Sequence, residues 1–539
     1  MKRWLSRSLV RPLCATLLAV GLSGGCAKTV AVELTAVEPC DQTDQALNGI
    51  QSFALSSTGS TVDDRVTFGP DAPATLPVGL TEEGSDGVVI TLEAFSDSSA
   101  GALPQAIGRT LPMMLVDSSQ DTSAMLVTGK LDTFGKTTNA AGECTTLSPE
   151  AAVPGRHGHT ATFVPGVNKV LIFGGAVYVD GEERLLASAD LFDPETGTFE
   201  ALEGVDVARA YHAATAMPDG RVLISGGFSV IAGTLTTLTT ALIFEPQTRE
   251  FVTILMQQPR AHHTSTLMEG SGLIALVGGC AGEGPSDGCT PTQAGAGTSG
   301  PSTALPLTVE TFDINQATQG ASTERVASGL VVPRAFHQAT SLENGSNTLL
   351  VVTGGVNQDD TVCDVEVFRA DGGVLALVAE ANLQGLPAGK CPARHAAVAI
   401  DAQRLLVLGG QTQAPNGAPS GAGSPDGFFF STTTGFEQAP SVQLFQGLGR
   451  AGHLATMLHD GSILVVGGTT AAGAPTAEML QPEAGTGVLQ ARVLAGPLSQ
   501  GRDRAAMAVL PNNQVLFTGG HTTTAPFTTT SVAELFFCP

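Results

Sequence analysis

Seven Gly-Gly doublets divide the second two-thirds of this 539-residue chain, and each closes a short apolar run. The doublets begin at Gly174, Gly226, Gly278, Gly354, Gly409, Gly467 and Gly519, and the runs read VLIFGG, RVLISGG, LIALVGG, LLVVTGG, LLVLGG, ILVVGG and QVLFTGG. Short runs of Val, Ile, Leu and Phe ended by glycine read as strands buried on both faces. A repeat of this kind constrains the fold more than any other feature of the chain. A unit of about fifty residues with a few short strands cannot bury its own hydrophobic surface, so consecutive units must stack.

Two more anchors share the period. Upstream of the doublets stand Arg156-x-x-His159, Arg209-x-x-His212, Arg260-x-x-His263, Arg334-x-x-His337 and Arg450-x-x-His453; the fifth unit keeps only His395, and the seventh has Arg502 with Ala505 in the His place. Downstream comes a short strand that ends in Phe: ADLFDP, ALIFEP, VETFDI, VEVFRA, VQLFQG, AEMLQP and AELFF, with Leu480 as the exception. TGTFEAL and TREFVTIL supply a fourth strand in the first two units. Four strands per unit, seven units and a period near fifty resemble the kelch-repeat β-propellers, including the central domain of galactose oxidase. The double glycine and the F-D-P-x-T-x-x-F hairpin carry the resemblance, which covers residues 142–539. It implies an all-β, seven-bladed propeller, although the Trp usual in the last strand is Phe or aliphatic here.

The last unit stops one strand short. In a propeller the missing strand comes from the other end of the repeat region, and an offset alignment assigns it to residues 144–147 (CTTL). The same alignment places Cys144 and Cys538 at positions i and i+3 of one tight turn, within disulfide reach. We therefore expect a Cys144–Cys538 bridge that locks the ring, with Cys40–Cys144 as its competitor. Cys280 and Cys289 bracket a Gly-rich loop and are expected to pair. Cys363 and Cys391 fall on one rim and form a third expected pair. Such cysteine usage fits an oxidising compartment.

The N-terminus reads as an address. Residues 1–26 run from a basic start (Lys2, Arg3, Arg7, Arg11) through an apolar stretch, Pro12 to Leu22, to small residues and Cys26. This is the order of a secretory signal, and the apolar stretch is too short to span a membrane comfortably. Leu22-Ser-Gly-Gly-Cys26 resembles a bacterial lipobox, with Ser23 where the family usually has Leu. The resemblance implies acylation of Cys26 and anchoring, by preference in the outer membrane. Residues 27–141 lack the repeat. Their short apolar or alternating runs between Gly, Ser, Asp and Pro predict a small β-sandwich-like, Ig-like domain ahead of the propeller.

Composition excludes several classes of function. Net charge is −24, which disfavours binding to phosphate backbones, so nucleic acid is not expected as a partner. Gly (65) and Pro (31) together stay below the ~25–30% of low-complexity chains. A histidine series on innermost strands offers metal ligands round a channel, but a residue repeated from unit to unit reads first as a packing device. A copper-radical oxidase needs two Tyr ligands, one crosslinked to Cys; Tyr178 and Tyr211 are the only tyrosines, and no Tyr–Cys arrangement is legible. Asp180/Glu182/Glu183 and Asp359/Asp360 lack the ligand spacing of Ca²⁺ loops. No catalytic, cofactor-binding or metal-ligating set is therefore assigned.

What remains is asymmetry. The third and fifth units carry long insertions between the doublet and the Phe anchor, placed by strand alternation on one rim. The second insertion contains Phe428, Phe429 and Phe430, candidate binding anchors. The expected function is a lipid-anchored, monomeric binding scaffold of the cell envelope that presents this rim to a protein or glycan. The alternative is a carbohydrate-active or oxidising enzyme with its site at the rim or channel mouth.

Overall fold

The computed structural model describes residues 28–538 except 41–46, 48, 59–64, 70–76, 81–84, 98–101, 116–121, 148–154, 282–307, 319, 327–328, 345–346, 358–360, 372, 379–385, 387–389, 413–422, 438–441, 445–448, 471–476, 483–488, 495–497 and 523–527. The leader with Cys26, and also Cys289, Asp359 and Asp360, lie outside the described residues. The fold is all-β. Among the described residues no helix is long and apolar enough to cross a membrane.

From Lys28 onward the chain first builds a mixed sheet. Its order is Arg65–Phe68, Ser52–Thr58, Ser85–Phe95, Ala106–Arg109, Thr122–Lys130, Lys28–Val37, Pro77–Leu80, with Met113–Leu115 also on Ser85–Phe95. Lys28–Val37 is shared: its first half pairs antiparallel with Pro77–Leu80, its second half parallel with Thr122–Lys130. The sheet curls until Leu34, Leu55, Ile90, Leu92 and Leu126 share one core. This is one connected sheet instead of the two facing sheets of an Ig-like sandwich. Alternating polarity marks strands but does not say which distant strand each one joins, and the parallel pair joins the two ends of this region.

Among the described residues seven antiparallel sheets of four or five strands follow, six with their strands in chain order and the last completed by an earlier segment. In the first, Thr160–Val164, Lys169–Phe173, Ala189–Asp193 and Thr198–Leu202 pair in turn, and Val170 lies opposite the anchor Phe192. The glycine doublets join the sheets into a circle. The second glycine of each doublet donates its N–H to the carbonyl at the Arg position of the next unit: Gly175 to Arg209, Gly227 to Arg260, Gly279 to Arg334, Gly355 to Pro392, Gly410 to Arg450 and Gly468 to Arg502, at 2.8–2.9 Å. Gly520 N–H donates to Arg156 O at 2.8 Å and closes the ring. The first glycine is required for another reason. Gly226 has φ +60°, and a Cβ there would stand 2.1 Å from Arg260 O. Only glycine combines that conformation with so close an approach.

Burial on both faces of each second strand follows from this circle. Leu171 and Phe173 pack toward the second unit with Val222 and Ile224, whereas Val170 and Ile172 pack toward the seventh with Leu516 and Leu535. Each core lies between two consecutive sheets, so no unit owns a core of its own.

The sequence expectation for closure needs correction. The strand that completes the seventh sheet is Thr133–Lys136, with Phe134 opposite Phe536. Residues 144 and 146 make only isolated bridges, to Thr138 and Val532. The alignment counted back from the first Arg anchor, but the chain loops between the closing strand and that anchor, and the repeat does not set the length of this detour. The disulfide changes with it. Cys144 is bonded to Cys40, and Cys538 is free and buried, so the Cys144–Cys538 bridge does not form. Cys538 instead lies beside Arg109, which donates to its carbonyl at 2.9 Å, and Asn513. Cys363–Cys391 forms as expected. Cys280 is disulfide-bonded, and its expected partner Cys289 lies outside the described residues.

The curled sheet is docked on the seventh unit. Ile107, Leu111 and Val127 join the core between the seventh and first units. Gly129 lies under the Phe537 ring, where a Cβ would come within 2.3 Å of the ring. Asn512 Nδ2 donates to Arg109 O at 3.2 Å.

Candidate functional site

The repeated Arg and His side chains hold units together and do not face a channel. Each Arg is buried and spans its own sheet. Arg260 donates to Gly278 O at 2.9 Å, Thr308 Oγ1 at 3.0 Å and Glu310 Oε1 at 2.5 Å. Arg156, Arg334, Arg450 and Arg502 pair likewise with Asp190, Glu366, Glu478 and Glu534. Two units depart from this pattern. Arg209 faces no carboxylate and donates to Gly226 O and Thr240 O, and burial lowers its pKa to about 10. In the fifth unit Pro392 stands in the Arg place, and Lys390 Nζ reaches Asp426 at 2.6 Å instead.

Five of the six repeated His, all but His453, bond a hydroxyl of the preceding unit. His212 bonds Thr160, His263 bonds Ser225, His337 bonds Thr264, His395 bonds Thr353, and His159 bonds Thr518 across the seventh-to-first junction, at 2.7–3.1 Å. Their rings lie on the first glycine of the preceding doublet; His212 Cε1 is 3.0 Å from where a Cβ of Gly174 would stand. Burial keeps them neutral, with His212 and His395 lowered to about 3. Among the described residues no group of three or more His, Cys, Asp or Glu is placed to hold a metal ion.

The two residues between Arg and His build something different. The second of them has a left-handed backbone in every unit: Gly158, Tyr211, His262, Phe336, Arg394, Gly452 and Arg504 all have φ between +51° and +69°. Their backbones form an inner ring. Gly158 N–H donates to Arg504 O, Tyr211 to Gly158, His262 to Tyr211, Phe336 to His262, Arg394 to Phe336 and Gly452 to Arg394, at 2.8–3.3 Å. Arg504 N–H donates to Asp503 Oδ1 instead. The side chains of this ring differ from unit to unit and so break the repeat.

One arc of the ring is aromatic. Tyr211, His262 and Phe336 stack in sequence, with centroids 4.7 and 4.3 Å apart. The other arc is charged. Arg394 passes over Gly452 to pair with Asp503 at 2.9 Å, and a Cβ on Gly452 would stand 2.4 Å from that carboxylate. Arg504 Nη1 donates to Tyr211 OH at 2.6 Å, with its guanidinium 5.3 Å from the Tyr211 ring centre. Tyr211 OH in turn donates to Glu183 at 2.5 Å. Glu183 and Tyr178 come from the two-stranded ribbon Ala176–Val179 and Glu182–Leu185, which rises from the first doublet. His157 stacks on Tyr178 at 4.8 Å and meets His521 edge-on at 5.0 Å.

The cluster holds two guanidinium groups, Arg394 and Arg504, and two carboxylates, Asp503 and Glu183. Burial, then His521 and Arg504, push His157 down to about 2. Burial raises the Tyr211 phenol well above its ordinary value, so it is a proton donor at neutral pH. Burial opposes the charge on Arg504, but Tyr211 and Asp503 outweigh it. Tyr178, His262, Phe336, Arg394 and Arg504 keep part of their surface in solvent.

The sequence-predicted anchors are elsewhere. Phe428 and Phe430 are buried in Asp426–Ser431, the third strand of the fifth sheet, where Phe430 lies opposite Leu405. Phe430, not Phe445, is the anchor Phe of that unit, and Val442–Gln443 pairs with Asp426 and Gly427. Phe429 is half-buried beneath Arg404. A Phe-rich run and the VQLF run compete for the same position, and packing against Leu405 and Val407 decides for the first. The axial cluster was missed although a signal for it exists: the first residue after Arg is Ala in the second to sixth units but His157 and Asp503 in the first and seventh.

No family model matches the chain, and no curated protein matches it. Among solved structures, the one titled "Structure of YjhT" is similar at 15% identity, covering 64% of this chain and 99% of that one, with a TM-score of 0.43.

Proposed function

We propose that residues 133–538 form a seven-bladed β-propeller of kelch type, carried on an exported chain anchored through an acylated Cys26. On this reading it is a binding scaffold of the cell envelope, and its binding face is the rim that bears the axial cluster. The partner is a protein or glycan. The observation that carries the reading is the asymmetry at the axis. Structural residues repeat from unit to unit, as the Arg and His series do, whereas the position before the His place reads Gly158, Tyr211, His262, Phe336, Arg394, Gly452 and Arg504 in turn. Half-exposed aromatic rings beside Arg are the side chains most often found at binding hot spots.

Crosslinking pull-down from envelope extract tests this. The baits are the non-acylated 27–539 protein and its Phe336→Ala/Arg394→Ala variant. A partner captured by the first and lost from the second supports the rim as binding face. No specific capture, or the same set with both baits, refutes it. A second reading, an enzyme, draws on Tyr211 OH held between Arg504 and Glu183. With its pKa raised, that phenol offers a proton and not a nucleophile, which suits binding at least as well as catalysis.

A further inference from the structure

We infer that the ring of sheets carries one built-in hinge, at the junction of the sixth and seventh units, and that the Arg394–Asp503 ion pair is the strap that holds it shut on the side of the axial cluster. This hinge needs only the geometry of the junctions and stands apart from the scaffold reading.

Seven junctions of one kind can be compared bond by bond. At six of them the inner ring runs on through a backbone hydrogen bond. At the sixth-to-seventh junction it stops, because Arg504 N–H turns to Asp503 Oδ1 at 2.9 Å instead of to the Gly452 carbonyl. At the same six, the next unit's His ring covers the first glycine of the doublet, with Cε1 2.6–3.0 Å from where a Cβ would stand. Here Ala505 holds the His place and Phe517 fills the space, its Cζ 3.0 Å from the Cβ position of Gly467. A phenyl ring offers neither donor nor acceptor. The doublet also sits less tightly: the Cβ position of Gly467 is 3.1 Å from Arg502 O, against 2.1–2.8 Å at the other six. Across the junction stand the Gly468–Arg502 bond, a bond from His459 N–H to Asn513 Oδ1 at 3.0 Å, and an apolar core with Val466, Met479, Phe517 and Phe536. Apolar packing is non-directional and lets two sheets tilt, whereas hydrogen bonds fix their angle. Arg394 replaces the missing bond with a longer one, reaching from the fifth unit past Gly452 to Asp503 in the seventh. Only glycine leaves that path open, since a Cβ on Gly452 would meet Asp503 Oδ1 at 2.4 Å and Arg394 Nη2 at 3.1 Å. Asp503 serves both sides, accepting Arg504 N–H through one oxygen and Arg394 through the other. Arg492 of the sixth unit also pairs with Asp132, in the turn before the closing strand, at 2.7 Å, but it is a half-exposed pair of the kind that adds little. The seventh-to-first junction is better secured: His159 bonds Thr518, Gly158 N–H bonds Arg504 O, and the curled sheet packs into its core. The ring therefore hinges away from the side that its docked sheet closes.

Hydrogen exchange of the non-acylated 27–539 protein, read by mass spectrometry at single-residue resolution, tests this. The second glycine N–H of each doublet makes the same bond at all seven junctions, so seven amides compare seven openings within one molecule. With intrinsic rates corrected, Gly468 is expected to exchange roughly tenfold faster or more than Gly175, Gly227, Gly279, Gly355, Gly410 and Gly520, the two missing hydrogen bonds setting the scale. Arg394→Ala should speed Gly468 by about a further fivefold and leave Gly227 and Gly279 within about twofold. Asp503→Asn should do the same, since it keeps an acceptor for Arg504 N–H but removes the charge that holds Arg394. Val466→Thr/Ala505→His/Phe517→Ile gives this junction the residues that Thr518, His159 and Ile172 supply at the seventh-to-first one, and should slow Gly468 into the range of the others. Should that triple variant not fold, the two single variants decide. Equal protection of the seven amides, a Gly468 rate that the single variants leave unchanged, or the same acceleration at every junction would overturn the hinge. None of these outcomes touches the scaffold reading, which the pull-down tests by itself.

Discussion

Removing Arg260 should destabilise the protein far more than removing the Glu310 it pairs with, although the two share one fully buried ion pair. In Arg260→Met, Glu310 is left in the core without its cation. Its Oε2 keeps Gln257 N–H at 2.9 Å and Thr323 Oγ1 at 2.6 Å, but Oε1 loses its only cation, and the Gly278 and Thr308 carbonyls lose their donor. Leaving one member of a buried pair alone costs about 3–5 kcal/mol. Glu310→Leu is different because the second unit already has that arrangement. There Leu242 takes the carboxylate position, and Arg209 keeps Gly226 O at 2.8 Å and Thr240 O at 3.0 Å and remains charged at neutral pH. What Glu310→Leu loses is the acceptor for Gln257 and Thr323, about 1–3 kcal/mol. The double variant leaves no charge behind and should also fall near ~1–3 kcal/mol, well short of the sum of the singles. With an unfolding entropy of ~2.1 cal/mol/K per residue over ~400 residues, Arg260→Met lowers the melting temperature by ~4–6 °C. Trp4, the one tryptophan, lies in the segment expected to be removed, so circular dichroism is the readout. Equal losses from the two single variants, or additive losses in the double, would refute the reasoning.

Three further outcomes follow from the same geometry. Gly226→Ala puts a Cβ 2.1 Å from Arg260 O at φ +60°, whereas at Gly233, with φ +83°, a Cβ meets nothing within 4 Å; thermal melts should show about 3 kcal/mol or more lost at the first site and about 1 kcal/mol at the second. The buried histidines predict acid lability. With His212 lowered to about 3 by burial, the unfolded chain takes up its proton below about pH 6.5 while the folded one does not, so stability falls as pH drops from 6.5 toward 3. That amounts to about 2 kcal/mol for this group by pH 5, and urea midpoints of His212→Gln measured from pH 7 to 4 should show a shallower slope by up to one proton. Finally, burial raises the Cys538 thiol to about 12, so native protein should resist alkylation at pH 8 and incorporate one label at Cys538 once denatured without reductant. Rapid labelling of the native protein would contradict the buried placement.

Much of the architecture was legible before any coordinates. The second strands, the doublets and the anchors at Phe192, Phe244, Phe312, Phe368 and Phe536 repeat because every unit meets the same neighbour in the same way, and a repeated environment leaves a repeated sequence. The role of the His series was legible for the same reason. The Cys363–Cys391 pair was too, since both cysteines fall at fixed places in adjacent units.

Everything that occurs once was decided by the tertiary structure. The closing strand Thr133–Lys136, the Cys40–Cys144 bridge and the parallel pairing of Lys28–Val37 with Thr122–Lys130 each join segments far apart in the chain, and neither periodicity nor alternation encodes which segments meet. Phe428–Phe430 looked like an exposed insertion until packing against Leu405 and Val407 placed them in a sheet. The axial cluster is the strongest case. Tyr211, His262, Phe336, Arg394 and Arg504 stand in five units, 293 residues from first to last, and nothing in the chain between them relates one to another. They become neighbours only because backbone hydrogen bonds join the successive anchors, which brings the residue before each His place to the same ring.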